Sequence, residues 1–233
     1  MAHEHSNPTL IPPQPVPEGA HAFAERVQEL LDGRPKDETE VTQAFAGMEG
    51  MFDRIAAGLY SLASMLVGEG EESVRLVETA IATTDALASG DPVAGRKTCR
   101  RALSTAAIEL LTRRNPGALA APQNAAPMST CIEDDDLDAA GVSREEFERM
   151  IAGPDRDRVR QWLAALPADV RTVFVLRAVA AFTAGETAAL LAAHGGPSAA
   201  GWTAAGVRET FRQGLCSLAS QLIHACIGQS SGS

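Results

Sequence analysis

The sequence predicts an all-α protein built from two small helical domains joined by an acidic linker, and three observations support this. Hydrophobic residues make up 45% of the 233 residues and aromatic residues only 4%, which is typical of helices packed through Ala and Leu. Several segments place hydrophobic residues at three- and four-residue steps, the period of a helix with one buried face. A stretch rich in Pro, Ala, Asn and acids separates the two helical regions and has the composition of a linker.

An N-terminal extension is predicted for residues 1–37. Residues 1–19 are rich in Pro, so we expect them to be disordered or extended. Ala22–Leu31 has the pattern of a short amphipathic helix. The extension contains no basic patch followed by an apolar core, and no apolar run in the chain approaches the roughly 18–20 residues that span a bilayer. We therefore expect a cytoplasmic protein with no membrane partner.

The first helical domain is predicted for residues 38–115. Its first helix begins near Glu38 and is followed by a break at Gly68–Glu72. A second helix is predicted for residues 72–87, with Leu76, Ala80 and Ile81, or their near neighbours, on the buried side. The hydrophobic residues that define the buried face of the first helix are Phe45, Met48, Phe52, Ile55, Leu59, Leu62 and Leu66.

A basic helix follows, with Asp91 as the predicted N-cap and Pro92 at its first position. The segment Arg96–Arg114 carries six basic residues and one acid, although the net charge of the chain is -10. The predicted buried stripe of this helix is Cys99, Leu103, Ala106 and Leu110, and the residues that fan away from it are Arg96, Lys97, Arg100 and Arg101. One buried apolar face and one exposed basic face favour a contact with nucleic acid. The alternatives are a solvated basic face, or pairing with the acids of Glu133–Asp138.

The acidic linker is predicted for residues 116–154. Ser143 followed by Glu146 forms a capping-box pattern, which predicts a short helix over Val142–Ile151. The acidic run before this helix has the composition of a solvated, self-repelling segment.

The second helical domain is predicted for residues 155–228. It contains the pair Leu166-Pro167, at which a helix is expected to start, and the segment Val173–Arg177, which is apolar up to Leu176. A long helix is predicted over Thr203–Leu222. Helical periodicity predicts that this last helix buries Val207, Phe211, Leu215, Leu218 and Leu222.

These motifs resemble the extracytoplasmic-function sigma factors of RNA polymerase. Leu166–Ala192 is similar to the last domain of that family, which contains a helix-turn-helix, and Leu59–Leu87 is similar to the first domain, which binds the polymerase. Arg96–Asn115 falls on the family's promoter-recognition helix. The segment His194–Trp202 is longer than the turn usual in the family.

The resemblance implies a sigma-type transcription initiation factor whose partners are core RNA polymerase, promoter DNA and an anti-sigma protein. It also implies that the acidic linker enters the polymerase cleft, where its charge would mimic that of nucleic acid. The polymerase-binding residues implied are Arg75, Leu76, Glu78 and Thr79. The DNA-binding residues implied are Arg96, Lys97, Arg100, Arg101, Arg113, Arg114, Thr203, Arg208 and Arg212. For this role we expect these cations to stand clear of the protein's own carboxylates.

A second hypothesis is a degenerate sigma-fold protein that binds another protein and not promoters. It is favoured by Arg75, where the family usually has an acid, and by the absence of Phe, Tyr and Trp over Leu87–Arg114. We do not expect an enzyme, because there is no glycine-rich phosphate loop and no spaced Cys-His, Ser-His or metal-ligand set. No metal or other cofactor is expected. The four cysteines form no C-x-x-C pair, so we expect reduced thiols.

Overall fold

The structure is a computed structural model that describes residues 55–84, 92–122 and 131–230, with side chains up to residue 224. The predicted extension 1–37, the predicted helix Ala22–Leu31, the start of the helix at Glu38 and the predicted cap Asp91 lie outside these ranges.

The predicted all-α fold is confirmed, because the described residues form helices and turns and contain no strand. Two short 3-10 turns, Asp138–Ala140 and Pro197–Ala199, lie between the helices. In chain order the α-helices are α1 (residues 55–67), α2 (Glu71–Thr83), α3 (Pro92–Arg114), α4 (Arg144–Ala152), α5 (Arg156–Ala165), α6 (Ala168–Ala178), α7 (Ala184–His194) and α8 (Ala204–Ser230).

Helices α1 and α2 bury most of the predicted apolar residues that the structure describes; Ile55 is half-buried, and Phe45, Met48 and Phe52 lie outside the described ranges. Leu59, Leu62 and Leu66 are buried in α1 as predicted. Helix α2 buries Leu76 and Ala80, but Ile81 is 39% exposed, because the buried face of α2 turns toward Ser73 and Val77. The helix ends at Thr83, before the predicted end at residue 87, because Thr84 adopts an extended conformation.

Helix α3, the basic helix, begins at Pro92 as predicted and packs against α2. It ends at Arg114, ahead of the Asn115-Pro116-Gly117 stop, where Gly117 has a φ of 95°. The predicted stripe is correct for Cys99 and Leu103, whereas Ala106 and Leu110 are only half-buried. Ala107, Ile108 and Leu111 complete the buried face, which is therefore wider than the predicted stripe.

The capping box predicted at Ser143 and Glu146 is confirmed and starts α4 at Arg144. The Ser143 hydroxyl accepts a hydrogen bond from the Glu146 N–H, and the Glu146 carboxylate accepts one from the Ser143 N–H. Both bonds satisfy backbone donors that a helix start leaves without partners.

Phe174 on α6 lies at the centre of the C-terminal helices. Its ring contacts Phe147 of α4 (centroids 5.7 Å apart) and Trp162 of α5 (5.0 Å) edge to face, and Phe211 of α8 at 5.3 Å. Edge-to-face contacts of this kind stabilise aromatic clusters beyond their area burial. They hold α6 against α8, where Val207, Phe211, Leu215 and Leu218 are buried as predicted and Leu222 is half-buried.

The described parts of the two predicted domains are in contact. Helix α3 packs against α7, and the buried residues of both regions belong to one continuous hydrophobic cluster. The predicted linker also contacts the C-terminal region: the Ala121 N–H donates to the Ser198 carbonyl at 2.9 Å, and the buried Trp202 indole N–H donates to the Leu119 carbonyl at 2.8 Å. The division of the chain into separate domains at residues 115 and 155 stays a prediction.

None of the helices in the described ranges combines the length and the hydropathy needed to cross a lipid bilayer.

Candidate nucleic-acid interface

Helices α7 and α8 and the segment between them form the predicted helix-turn-helix region. The long turn is ordered by the 3-10 turn Pro197–Ala199 and by the buried Trp202. Thr203 follows directly, and its hydroxyl accepts a hydrogen bond from the Gly206 N–H at 3.1 Å. Thr203 therefore caps α8, the predicted recognition helix, and fixes the start of its exposed face.

The two predicted arginines of α8 differ in environment. Arg208 is exposed and has no hydrogen-bond or ion-pair partner among the described residues. The Arg212 side chain is 27% exposed and forms an ion pair with Glu209. Its guanidinium also donates to the Glu133 carbonyl at 3.0 Å. Arg208 is thus available to a ligand, whereas Arg212 is turned onto the acidic linker.

The N-terminal half of α3 presents a cluster of cations. Arg96 and Arg101 are exposed and Arg100 is half-buried. Partial burial, together with the positive charges of Arg96 and Arg144, lowers the pKa of the Arg100 guanidinium.

Lys97 connects α3 to the start of α7. Its ammonium lies 2.8 Å from the carboxylate of Glu186, which belongs to a second capping box with Thr183. The hydrogen bond from Lys97 and that from the Thr183 N–H lower the pKa of Glu186 to about 2. Lys97 is therefore neutralised by the protein's own carboxylate.

The C-terminal half of α3 is also tied to acids. Arg113 lies 4.0 Å from Glu109, Arg114 pairs with Glu72, and Glu109 lies 3.0 Å from His194 Nδ1 at the end of α7. Glu109 belongs to α3 itself, whereas folding brings Glu72 in from α2 and the His194 imidazole in from α7.

The expectation that the cations stand clear of the protein's own carboxylates is therefore only partly met. It holds in the described residues for Arg101 and Arg208. It is wrong for Lys97, Arg113, Arg114 and Arg212. The assignment of all these residues to DNA binding stays a prediction.

The predicted polymerase-binding residues lie on α2. Arg75 is exposed and donates to Glu71 at 3.1 Å, and Glu78 and Thr79 are also exposed. Leu76 points into the core with 7% of its surface exposed. Its side chain holds α2 in place and is not available to a partner in this conformation.

Residues 131–137, which we term the acidic strap, pack on α6 and α8. Ile132 and Leu137 are buried, and the Asp135 carboxylate accepts a hydrogen bond from the Arg177 guanidinium at 3.0 Å. The same guanidinium stacks over Phe211, 5.1 Å from the ring centroid. Asp135 is therefore not simply solvated, whereas the side chains of Glu133, Asp134 and Asp136 are exposed. In the described residues the strap contacts Arg177 of α6 and Arg212 of α8.

A disulfide between Cys131 and Cys216 joins the acidic strap to α8, with the Cα atoms 5.7 Å apart. The expectation that all the cysteines are reduced thiols is therefore wrong for this pair, because folding brings together two residues separated by 85 positions. Cys99 is a buried free thiol. The only sequence signal for the strap was the placement of Ile132 and Leu137 on either side of the acids.

No group of three or more His, Cys, Asp or Glu side chains in the described ranges could hold a metal ion. Comparison of the chain with family models, with curated proteins and with solved structures found no match.

Proposed function

We propose that this protein is a sigma-type transcription initiation factor, which binds core RNA polymerase and directs it to specific promoters in the cytoplasm. The observation that carries the proposal is the start of α8. Thr203 caps this helix, and the exposed Arg208 lies five residues later on its outer face. A capped helix whose N-terminal outer face carries a free guanidinium suits the major groove of a duplex.

The cation cluster of α3 supports a second contact. Arg96 and Arg101 are exposed on a helix that is anchored by the buried Cys99 and Leu103. Arginine contacts phosphates through a planar, pre-organised guanidinium, and such contacts supply most of the salt-dependent affinity for DNA.

The proposed binding competes with contacts inside the protein. A duplex that reaches Lys97 must displace Glu186, and one that reaches Arg212 must displace Glu209 and the acidic strap. We therefore infer that the conformation described is one of low affinity, which rearranges when core polymerase binds. An anti-sigma protein would stabilise the same closed arrangement.

Fluorescence anisotropy with a duplex from the gene's own upstream region, in the presence of core polymerase, tests the DNA contacts. We expect Arg208→Ala to weaken binding by about 1–3 kcal/mol, or roughly 5- to 150-fold, if the guanidinium meets a guanine edge. We expect Arg101→Ala to weaken binding to all sequences and to reduce the salt slope by about 1.

Arg158→Ala is the matched control, because Arg158 is exposed on α5 and pairs only with Asp155 among the described residues. This variant should bind as the wild type does. Affinities of Arg208→Ala and Arg101→Ala that equal the control at low salt would contradict the proposed DNA contacts.

A second candidate function is a sigma-fold interaction protein without promoter binding. The observation that favours it is the neutralisation of Lys97, Arg114 and Arg212 by Glu186, Glu72 and Glu209. Co-purification separates the two functions. The leading proposal predicts that core polymerase subunits are recovered and that run-off transcription occurs, whereas the second predicts a different protein partner and no transcript.

A further inference from the structure

The acidic strap is held on the predicted recognition helix by one covalent bond, by the buried side chains of Ile132 and Leu137, and by a few polar contacts. Besides the disulfide to Cys216, the Arg212 guanidinium contacts the Glu133 carbonyl and Arg177 contacts Asp135. The strap therefore covers one of the two arginines that the proposed function places at DNA.

The fit of the strap to the surface beneath it is incomplete. A cavity of about 160 Å³ lies at its edge, lined by Asp135 and Leu137 from the strap and by Arg144, Arg177 and Phe211. The Nε atoms of Arg177 and Arg212 are buried without an acceptor in the described structure. Buried donors without acceptors cost free energy in the docked arrangement.

The acidic strap also carries charges that oppose its own docking. Glu133, Asp134, Asp135 and Asp136 are consecutive acids, and only Asp135 forms an ion pair in the described residues. Without the covalent bond, the repulsion among these acids favours a more extended segment.

The disulfide is open to solvent at one end. Cys131 is exposed and Cys216 is half-buried, whereas the free thiol of Cys99 is fully buried. A reductant can therefore reach the Cys131–Cys216 bond.

We propose that the Cys131–Cys216 pair is a reversible redox latch that holds the acidic strap over Arg212 when oxidised and releases it when reduced. The proposal rests on the proposed function, because a transcription factor works in a compartment where thiols are kept reduced. Disulfides in that compartment are mostly transient and redox-sensing rather than permanent staples. The latch makes access to α8 depend on the thiol-disulfide balance.

The chemistry of release is thiol-disulfide exchange with a dithiol reductant. One thiolate of the reductant attacks a sulfur of the Cys131–Cys216 bond, which breaks as a mixed disulfide forms. The second thiol of the reductant then displaces the protein sulfur. Two electrons and two protons pass to the protein as two Cys thiols, and the reductant becomes a disulfide.

Hydrogen exchange of the full chain, measured by mass spectrometry with and without dithiothreitol, tests the latch. Alkylation of the Cys131 and Cys216 peptides first reports the state of the bond. We expect the bond to form in the oxidised protein and to be lost in dithiothreitol. On reduction, exchange over residues 132–137 should become at least roughly tenfold faster, because local opening no longer works against the covalent bond.

Cys131→Ser/Cys216→Ser should show the fast exchange with or without dithiothreitol, and Cys99→Ala should keep the wild-type response. Absence of the disulfide from the oxidised protein, resistance to dithiothreitol, or equal exchange in both states of the wild type would overturn the proposal. Because the readout does not involve DNA, a failure of duplex binding would refute the proposed function without altering this measurement.

Discussion

Gly214 illustrates how one residue sets the packing of α6 against α8. A Cβ at this position would lie 2.7 Å from Cδ2 of Phe174. That ring cannot easily move away, because Phe147, Trp162 and Phe211 surround it. The absence of a side chain at Gly214 therefore allows the two helices to approach closely, despite the cost of a glycine inside a helix.

Replacing Gly214 by Ala should destabilise the protein by about 1–3 kcal/mol, because an extra methyl group overpacks the aromatic cluster. Urea unfolding would measure the change. Gly185→Ala is the control, since Gly185 lies exposed in α7 with open space around its Cα. That variant should be neutral or more stable by up to about 1 kcal/mol. Equal stability of the two variants would show that the Phe174 cluster is not tightly packed.

At the scale of the element, the start of α7 depends on contacts from within the helix and from outside it. Thr183 and Glu186 form a capping box, which satisfies backbone donors of the first turn. Lys97 of α3 completes the arrangement by binding Glu186 from outside. The first turn of α7, where the predicted helix-turn-helix begins, is therefore joined to the basic helix α3 by an ion pair.

The lowered pKa of Glu186 makes this contact dependent on pH. The folded value of about 2 lies below the ordinary value of 4.5, so the ionised carboxylate stabilises the fold above about pH 4.5. This stabilisation is lost as the pH falls through about 2. We expect the Tm of the wild type to fall more steeply over this range than that of Glu186→Gln, and to be higher near pH 7.

Glu145→Gln provides the comparison for this pH series, because Glu145 is an exposed acid in the first turn of α4. Its pH profile should follow that of the wild type. Parallel profiles for Glu186→Gln and the wild type would contradict the role assigned to the Lys97 contact.

At the scale of the whole molecule, the described N-terminal and C-terminal helices pack together through several polar contacts around one hydrophobic cluster. Lys97 and Glu109 of α3 bind the two ends of α7 through Glu186 and His194. The indole of Trp202 reaches back to the Leu119 carbonyl. These contacts couple regions that a two-domain arrangement would leave independent.

We expect calorimetry to show one cooperative unfolding transition, with calorimetric and van't Hoff enthalpies that agree. Trp202→Phe should keep one transition and destabilise it by about 1–3 kcal/mol, because the buried Leu119 carbonyl loses its donor. Trp162→Phe is the comparison, since the Trp162 indole donates to the half-buried Ser217 and its ring contacts Phe174, both within the C-terminal helices. This variant should also be destabilised and keep one transition. Two separate transitions in the wild type would support independent domains instead.

Local patterns predicted much of the helical structure. The Ser143 and Glu146 box, the start of α3 at Pro92 and the buried stripe of α8 through Leu218 were all correct. Each depends on residues within a few positions of one another, where helical geometry alone decides the outcome. Ile81 was wrongly predicted to be buried. Helix α2 has apolar residues on more than one side, and the packing of the neighbouring helices decides which side is buried.

The candidate site was only partly predictable. The positions of the cations along α3 and α8 follow from the sequence, as does the exposure of Arg101 and Arg208. The acids that neutralise Lys97 and Arg114 could not be identified from the sequence. These acids, Glu186 and Glu72, are distant in sequence, and their approach depends on how α7 and α2 pack on α3.

The sequence by itself determined that this protein is helical and where its charge lies along each helix, because period and capping act over a single turn. The tertiary structure alone decided which charges meet, that Cys131 and Cys216 are joined, and that the acidic strap lies on α6 and α8. Ion pairs and disulfides require atoms within a few ångströms, and only the packing of distant helices sets those distances.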